Sequence, residues 1–420
     1  MKSARKLQCS GAKVKIMVDR CEARPISSTP LAKGRVHSLP AEPIARVACP
    51  NDETPFVLYW PFGHLERIHL PKDVGGIPAA ASRSGRKTIL LIGTQEGCLP
   101  VLPYRVITTG ESRRLSIMAN LREWFRVAPV LFRLAPKECL IYRTSPLSPF
   151  LVYAVRLTEK LTGRRSVGTR FMLKMDWDGS WQTIARKVGP FKVYLNLCAM
   201  AFDEFIVENT CAQEALNAHI LFPHKVTMVP NGYDPETVPL GDPGTNGRDP
   251  VVLCVARICR VKAQDDLLRA FALLAKDHPE WSLHLVGPIE DGDFVRELAA
   301  EAERLNVAPR VKILGYLDTD QLRQQRARAS INALLSHEEG FSIAKLEAMA
   351  AGLPLVTSEA GCSRDLAQMG AMVVPNSDVK AAAHALRLLM EDTQLRCTIA
   401  RRQQSHLLSW DAVWKQLASH

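Results

Sequence analysis

Two glutamates that stand eight positions apart, Glu339 and Glu347, lie in the stretch "SHEEGFSIAKLEAMAAG". The apolar run "INALLS" before them predicts a buried strand, and a helix is expected to begin near Ser342. Both carboxylates would then lie near the carboxyl end of a strand, which is where open α/β sheets bind ligands. Because carboxylates accept hydrogen bonds from hydroxyl groups, the pair could hold two hydroxyl-bearing parts of one ligand.

The same stretch has features of an anion site. Gly340 allows a ligand to approach the backbone closely, and the N–H groups of the first helical turn are free to bind an anion. An anion site flanked by two hydroxyl acceptors suits a nucleoside diphosphate-sugar. The alternative is an amphipathic helix with a solvated acidic face, and the glutamate spacing taken alone favours that alternative.

Two cations come from another strand end. Arg257 and Lys262, in "VARICRVK", follow the apolar run "VVLCVAR" and precede a predicted helix. They could neutralise a diphosphate, with Arg257 offering a planar fork and Lys262 a point charge. The alternative is a pair of surface cations in a loop, which is the commoner location of Lys and Arg.

Short apolar runs alternate with helical segments along most of the chain, which predicts parallel sheets covered by helices. The pattern restarts after "VPNGYDPETVPLGDPGTNGRD", a segment with linker composition. The sequence therefore predicts two Rossmann-like, doubly wound α/β domains that face a central cleft. We expect an atypical leader at 1–50, an acceptor-binding domain at 51–225, a nucleotide-sugar-binding domain at 226–400 and a returning C-terminal helix at 401–420.

Charge differs between the two halves of the 420-residue chain. Residues 1–200 carry a net charge of +18 and residues 201–420 a net charge of −7. This asymmetry suggests that the first half faces a polyanion or an anionic membrane, and an unremarkable basic surface is an equally good interpretation. No apolar run is long enough for a transmembrane span, and the eleven cysteines are scattered. We expect a cytoplasmic protein, peripheral at the inner face of the membrane.

These motifs carry a family resemblance that covers the chain from about Phe56 to its end. "SHEEGFSIAKLEAMAAGLPLVTS" resembles the PSxxEGFGxxxxEAMAxGxPVVAS signature of family 4 glycosyltransferases, which have the GT-B architecture. "VARICRVK" is similar to their GRLxxxKG segment, with Ala263 in place of the glycine. "VPNGYD", "FVLYWPF…DVGGIP" and "LLSWDAVWKQL" resemble their NGVD turn, their first strand with its diglycine loop, and their FSWxxVA segment.

The resemblance implies a role for each matching residue. Glu339 would contact the donor sugar and Glu347 the ribose, while Arg257 and Lys262 would bind the diphosphate. The backbone of Gly340, Phe341 and Ser342 would bind the sugar or the diphosphate, and Gly75 and Gly76, in the diglycine loop, would also bind the donor. Neither a metal ion nor another cofactor is implied.

The acceptor side is less well defined. The family often has a histidine after a strand of its first domain, where this sequence has Asp176 and Asp178 in "LKMDWDGSW". These acids could face the acceptor or the reacting sugar, or they could cap a turn. The lone histidines His64 and His337 are assigned no catalytic role.

The predicted function is transfer of a hexosyl unit, with retention, from a nucleoside diphosphate-sugar to a saccharide or lipid-linked acceptor in glycan biosynthesis. An epimerase or phosphorylase of the same architecture, or a non-catalytic protein that binds nucleotides or polyanions, remains an alternative. An oxidoreductase is disfavoured because no GxGxxG follows a strand. Nucleic acid is not an expected partner.

Overall fold

The computed structural model describes residues 54–95, 99–110, 117–143, 147–162, 168–177, 191–244 and 247–419, with the backbone alone for 117–119, 191 and 192. The predicted leader at 1–50 and Asp178 lie outside these residues. Two parallel sheets, one in each half of the chain, organise the described residues.

The first sheet has seven strands in the order β3-β2-β1-β4-β5-β6-β7, and all of its pairs are parallel. Its strands are β1 (Phe56–Leu65), β2 (Thr88–Gln95), β3 (Arg105–Thr108), β4 (Glu138–Tyr142), β5 (Arg170–Met175), β6 (Glu204–Val207) and β7 (Val226–Met228). Its helices are α1 (Asp73–Arg83), α2 (Ile117–Leu134), α3 (Ser148–Leu161), α4 (Phe191–Ala201) and α5 (Thr210–His219).

The second sheet has six parallel strands in the order β10-β9-β8-β11-β12-β13. Its strands are β8 (Val251–Val255), β9 (Ser282–Val286), β10 (Val311–Gly315), β11 (Ile331–Leu334), β12 (Leu355–Ser358) and β13 (Met372–Val374). The helices of this half are α6 (Gln264–Leu274), α7 (Gly292–Arg304), α8 (Thr319–Arg328), α9 (Ile343–Ala350), α10 (Ser363–Gln368), α11 (Val379–Glu391), α12 (Thr393–Gln404) and α13 (Trp410–Ser419).

The central strands are buried along their whole length, which explains their continuous apolar runs. Every residue of β4 from Cys139 to Tyr142 and every residue of β11 is buried. Parallel strands with helices on both faces have no solvent side, so polar residues do not alternate along them. The predicted fold class, two doubly wound α/β units, is confirmed.

The predicted domain boundary at residue 225 is a few residues too early. β7 pairs with β6, so the first sheet continues to Met228 before the linker begins. Its three residues are too few to show a period in the sequence. Among the described residues, no helix is long and apolar enough to span a membrane.

The C-terminal helix α13 packs against α1 of the first half. It begins at Trp410 and not at the predicted 401, because residues 401–404 still belong to α12. The indole of Trp410 donates to Pro71 O at 2.9 Å, and that of Trp414 donates to Ser84 Oγ at 2.8 Å. Arg83 forms an ion pair of 2.8 Å with Asp411 at the surface. The last helix therefore ties the end of the chain to its first domain.

Candidate functional site

The loop between β11 and α9 begins where the sequence predicts a ligand site. The strand ends at Leu334, Glu339 follows in the loop, and the helix starts at Ile343 with Ser342 as its N-cap residue. Ser342 has an extended backbone and its side chain caps no N–H group. The predicted strand end and helix start are therefore confirmed, and the loop lies at the carboxyl edge of the second sheet.

Lys262 and Glu339 meet at this edge. Lys262 Nζ lies 2.8 Å from Glu339 Oε2, and both side chains are nearly buried, at 10% and 13% exposure. The hydroxyl of Ser336 donates to the same oxygen at 3.3 Å. Ala263, the residue after Lys262, has a left-handed backbone with φ of 48°. This conformation explains why the family prefers glycine there, since an L-residue is strained in it.

Arg257 is the exposed cation of the site. It makes two contacts of 2.7 Å to the carboxylate of Glu290, and its side chain is 55% exposed. Its hydrogen bond to Glu290 raises the pKa of the guanidinium, and the charge of Glu339 contributes to that rise. An exposed pair of this kind holds its partners weakly, so Arg257 is free to exchange Glu290 for an anionic ligand.

Glu347 lies on α9 and is held by a residue that the sequence analysis did not single out. Arg326 of α8 donates from Nη2 to Glu347 Oε2, and its side chain is only 4% exposed. The side chain of Glu347 is itself only 15% exposed. The segment "DQLRQQRARA" contains three arginines, and nothing in its sequence distinguishes Arg326 as the buried one.

Asp176 brings the first domain to the same loop. It follows β5, and a Cβ atom added at Gly340 would lie 2.7 Å from Asp176 Oδ1. Arg143, which follows β4, donates to Asp176 Oδ2 at 2.6 Å. The structure thus places Asp176 against the backbone of Gly340, at the boundary between the two halves. Asp178 lies outside the described residues.

A buried ionic cluster lies behind Asp176. Lys174 of β5 contacts Glu208, Asp73 at 3.1 Å and Asn231 at 3.1 Å. Burial alone would lower the pKa of Lys174, but the two carboxylates raise it. Burial raises the pKa of Glu208 to about 8 against the opposing charge of Lys174, and the nearby acids Asp176 and Asp73 add to the rise. Two carboxylates therefore share one ammonium group.

Asn231 extends this cluster to the loop of the second domain. Its side-chain amide donates to Phe341 O at 3.4 Å. Phe341 itself is buried in a cluster with Tyr233, Leu346 and Met349. The linker residue Asn231 therefore contacts both Lys174 in the first domain and the loop between β11 and α9.

Gly75 and Gly76 lie in the first turns of helix α1, so the predicted diglycine loop is a helix start. Both of their N–H groups donate to Lys72 O, at 3.0 and 2.6 Å. A Cβ atom at Gly76 would lie 2.5 Å from the ring of Trp410. In this structure Gly76 therefore serves the packing of the C-terminal helix.

Lys72, the residue before α1, interacts electrostatically with charged residues of the candidate site. Burial lowers its pKa, while Asp73 and Glu347 raise it and Arg143 and Arg257 lower it further. Its ammonium group is therefore within the electrostatic reach of residues from both halves. A cation directly before "DVGG" was the available signal for it.

Gly361 is another residue that the sequence analysis did not identify. Its φ is 52°, and a Cβ atom there would overlap the carbonyl oxygen of Glu339. The neighbouring Cys362 N–H donates to Gly340 O at 3.2 Å. The segment after β12 thus supports the loop that carries Glu339. The sequence of this segment, "EAGCS", predicts a turn but not its contact with that loop.

Comparison with known families gives one match, and it falls on the second half of the chain. The model of the family described as "Glycosyl transferases group 1" matches residues 241–406. These residues include Arg257, Lys262, Glu339 and Glu347.

Curated relatives match a similar part of the chain. A glycogen synthase of Mycobacterium tuberculosis is 30% identical over 195 residues, which cover 45% of this chain and 46% of the relative. A D-inositol 3-phosphate glycosyltransferase of Salinispora arenicola is 33% identical over 180 residues, 40% of each chain. The chain thus spans less than half the length of either relative.

Solved structures resemble most of the chain in fold. The sucrose-phosphate synthase of Thermosynechococcus elongatus has a TM-score of 0.67 at 18% identity, and the match covers 87% of this chain and 98% of that one. HepE of Anabaena, solved in complex with UDP-glucose, has a TM-score of 0.64 at 18% identity, with coverage of 87% and 98%. The GT-B fold is confirmed, while the assignment to family 4 within it stays a prediction. Residues 241–406 therefore match the group 1 glycosyltransferase family, and they fall in the second half of a GT-B fold.

Proposed function

We propose that the protein is a retaining glycosyltransferase, which moves a hexosyl unit from a nucleoside diphosphate-sugar to a saccharide or lipid-linked acceptor in glycan biosynthesis. One observation carries the proposal. Two cations, Arg257 and Lys262, and a carboxylate, Glu339, meet at one strand edge within the residues that match the group 1 family. The UDP-glucose complex of the structural relative HepE supports a nucleotide-sugar as the donor.

The bound donor would replace the present ion-pair partners of the two cations. Its diphosphate would bind Arg257 in place of Glu290 and draw Lys262 from Glu339. Glu339, once released, would accept hydrogen bonds from hydroxyl groups of the sugar. The carboxylate of Glu347 would accept from the ribose, and the backbone of Gly340, Phe341 and Ser342 would line the sugar or the diphosphate.

The reaction breaks the bond between the anomeric carbon and the diphosphate oxygen, and the electron pair stays on that oxygen. An acceptor hydroxyl attacks the anomeric carbon on the same face, which retains the configuration. The hydroxyl proton passes to the departing phosphate, and the products are the glycoside and the nucleoside diphosphate. Arg257 and Lys262 stabilise the charge that develops on the leaving group.

The acceptor would bind on the side of the first domain. Asp176 lies against Gly340 and is held in place by Arg143, so its carboxylate could accept a hydrogen bond from the acceptor or the sugar. The proposed location is the cytoplasm, at the inner face of the membrane. The net charge of +18 on residues 1–200 supports the membrane, and the described cysteines, which form no disulfide bond, support a reducing compartment.

A panel of UDP-, GDP- and ADP-sugars tests the proposal. Each nucleotide is first titrated into the purified protein by calorimetry, and each sugar donor is then incubated with saccharide and lipid-linked acceptors. We expect one base to bind best and its sugar to be transferred with release of the nucleoside diphosphate. Epimer formation without transfer, phosphorolysis of a glycan, or binding without turnover of any donor would each contradict it.

A further inference from the structure

The helices α2, α3 and α4 lie side by side on one side of the first sheet and leave large apolar side chains in solvent. Their inner residues, such as Leu131, Val152 and Leu195, are fully or almost fully buried against the strands. The outer residues do not follow the usual polar pattern. Seven exposed apolar side chains form what we call the helical face: Phe125, Phe150, Tyr153, Leu157, Leu161, Val193 and Met200.

The exposure of the helical face is high for residues of these types. Phe125 is 64% exposed, Leu157 57% and Leu161 77%. Between α2 and α3 lies an open groove of about 310 Å³, which Phe125, Pro129, Phe132 and Ala154 help to line. Single exposed apolar residues are common on soluble proteins, but a set concentrated on three adjacent helices marks an interaction surface.

The exposed charged side chains that the three helices themselves carry are of one sign. Among the described side chains of the three helices, the exposed charges are Arg122, Arg126, Arg133 and Lys160. The two acids are engaged elsewhere. Glu123 is buried and accepts from Tyr59 at 3.0 Å, and Glu159 accepts from Thr169 at 2.9 Å. The partner of this surface should therefore be both apolar and anionic.

We propose that the helical face docks on a membrane surface that contains anionic phospholipid. Apolar side chains from parallel helices can enter the boundary between headgroups and acyl chains, while the flanking cations contact lipid phosphates. The exposed side chains project from three separate helices instead of lining one deep pocket, which suits a deformable lipid surface. An acidic protein with an apolar patch is the competing partner.

Docking at this face would bring the membrane to the acceptor side of the cleft. In the element order, α2 comes after the parallel strand β3 and α3 after β4, so both helices begin on the side of the carboxyl edge of the first sheet, the edge that carries Asp176. In this respect the inference rests on the proposed function, because it explains how a lipid-linked acceptor would reach the site. The docking itself does not require that any sugar be transferred.

Vesicle flotation of the full chain tests the docking. The probes are vesicles of phosphatidylcholine alone and of phosphatidylcholine with about one third phosphatidylglycerol, at low and high salt. We expect the wild-type protein to float with the anionic vesicles at low salt, and a large part to be released at high salt. Equal flotation with both vesicles, or no flotation with either, would overturn the proposal and leave an acidic protein as the partner.

Two variants of the helical face and matched controls sharpen the test. Arg133→Glu with Lys160→Glu should lower the apparent vesicle affinity roughly tenfold or more, because each basic residue near the surface adds to binding. Phe125→Ser with Leu157→Ser should lower the apparent vesicle affinity by a similar factor. Because these side chains carry no charge, that factor should be about the same at low and at high salt. The controls carry the same changes in the second half of the chain: Lys380→Glu with Lys415→Glu, and Leu273→Ser with Tyr316→Ser.

Circular dichroism and thermal melts confirm that each variant folds. If the helical-face variants float as well as their controls, the face is not the docking site. Donor hydrolysis in the absence of vesicles is measured in parallel. Normal flotation without sugar transfer from any donor would reject the proposed function and still support docking. Sugar transfer to a soluble acceptor without flotation would reject docking and still support the proposed function.

Discussion

Arg326 of α8 and Glu347 of α9 form an ion pair in which the arginine is almost fully buried. The arginine Nε has no hydrogen-bond partner among the described residues, and the carboxylate of Glu347 balances the buried positive charge. Arg326 therefore fixes the carboxylate that we assign to the ribose. This relationship makes the donor site sensitive to a residue that need not touch the donor.

Arg326→Met should cost about 3 kcal/mol of stability, because it leaves a carboxylate unpaired in a largely buried position. Urea denaturation of the variant measures this loss. Adding Glu347→Gln should restore part of it, since the unpaired charge is then gone. Arg328→Met is the control, because its ion pair with Asp249 is exposed and should change stability by about 0.5 kcal/mol or less.

The same variant should weaken nucleotide binding if Arg326 positions Glu347. We expect Arg326→Met to reduce the affinity for a ribonucleoside diphosphate and to remove most of the preference for it over the 2′,3′-dideoxy analogue. Calorimetric titration of both nucleotides into a folded sample gives the comparison. An unchanged preference would show that Arg326 only stabilises the fold.

Arg257→Ala should lower the affinity for the nucleoside diphosphate by about 10- to 100-fold, the effect of one lost charge-assisted hydrogen bond. Arg260→Ala provides a matched control three residues away, since Arg260 is also exposed and also pairs with a glutamate, Glu297. It should change the affinity less than twofold. Similar losses in the two variants would mean that only the general positive charge matters.

Glu339→Ala should abolish sugar transfer while the nucleoside diphosphate still binds, because Glu339 is assigned to the sugar. Removing it also frees Lys262 from its partner at 2.8 Å, so affinity for the diphosphate alone should stay equal or rise. Turnover assays and titrations with the nucleoside diphosphate separate the two effects. Transfer at the wild-type rate would defeat the assignment of Glu339.

Glu208 should make stability depend on pH. Its pKa rises on folding from 4.5 to about 8, so the folded state holds the proton more tightly than the unfolded state. The stabilisation is complete below about pH 4.5 and is lost as pH rises through about 8. Glu208→Gln, which mimics the protonated form, should therefore gain stability relative to the wild type between pH 5 and pH 9.

Thermal melts of both proteins across this range provide the test. The difference in melting temperature between variant and wild type should grow by at least about 2 °C from the acidic to the basic end. Titrations of other groups are common to both proteins and largely cancel in the difference. A constant difference, or one that shrinks as pH rises, would contradict the raised pKa.

Gly361→Ala should destabilise the protein by about 2 kcal/mol or more, since it combines backbone strain with overlap against Glu339 O. Gly85→Ala is the control, because Gly85 has a φ of 89° but no atom within 4 Å of the added methyl group. It should show the backbone strain alone, about 1 kcal/mol. Equal losses in chemical denaturation would argue against the close packing of Gly361 on the loop.

Local sequence signals were enough to predict the two sheets, most of their strands and the strand-end positions of Arg257, Lys262 and Glu339. They were enough because apolar runs of buried parallel strands and the start and stop signals of α9 are local features. The three residues of β7 escaped prediction because so short a strand has no period. The diglycine segment was predicted as a loop, and its helix is stabilised by packing against Trp410, far away in the sequence.

Which charged side chains pair with each other depends on the tertiary structure. The pairing of Arg326 with Glu347, the approach of Asp176 to Gly340 and the support of Glu339 by Gly361 each join segments that are distant in the sequence. The left-handed backbone at Ala263 and the sharing of Lys174 by two carboxylates are likewise set by their surroundings. Local composition can place a charged residue at a strand end, but its partner and its burial depend on the packing of the two halves.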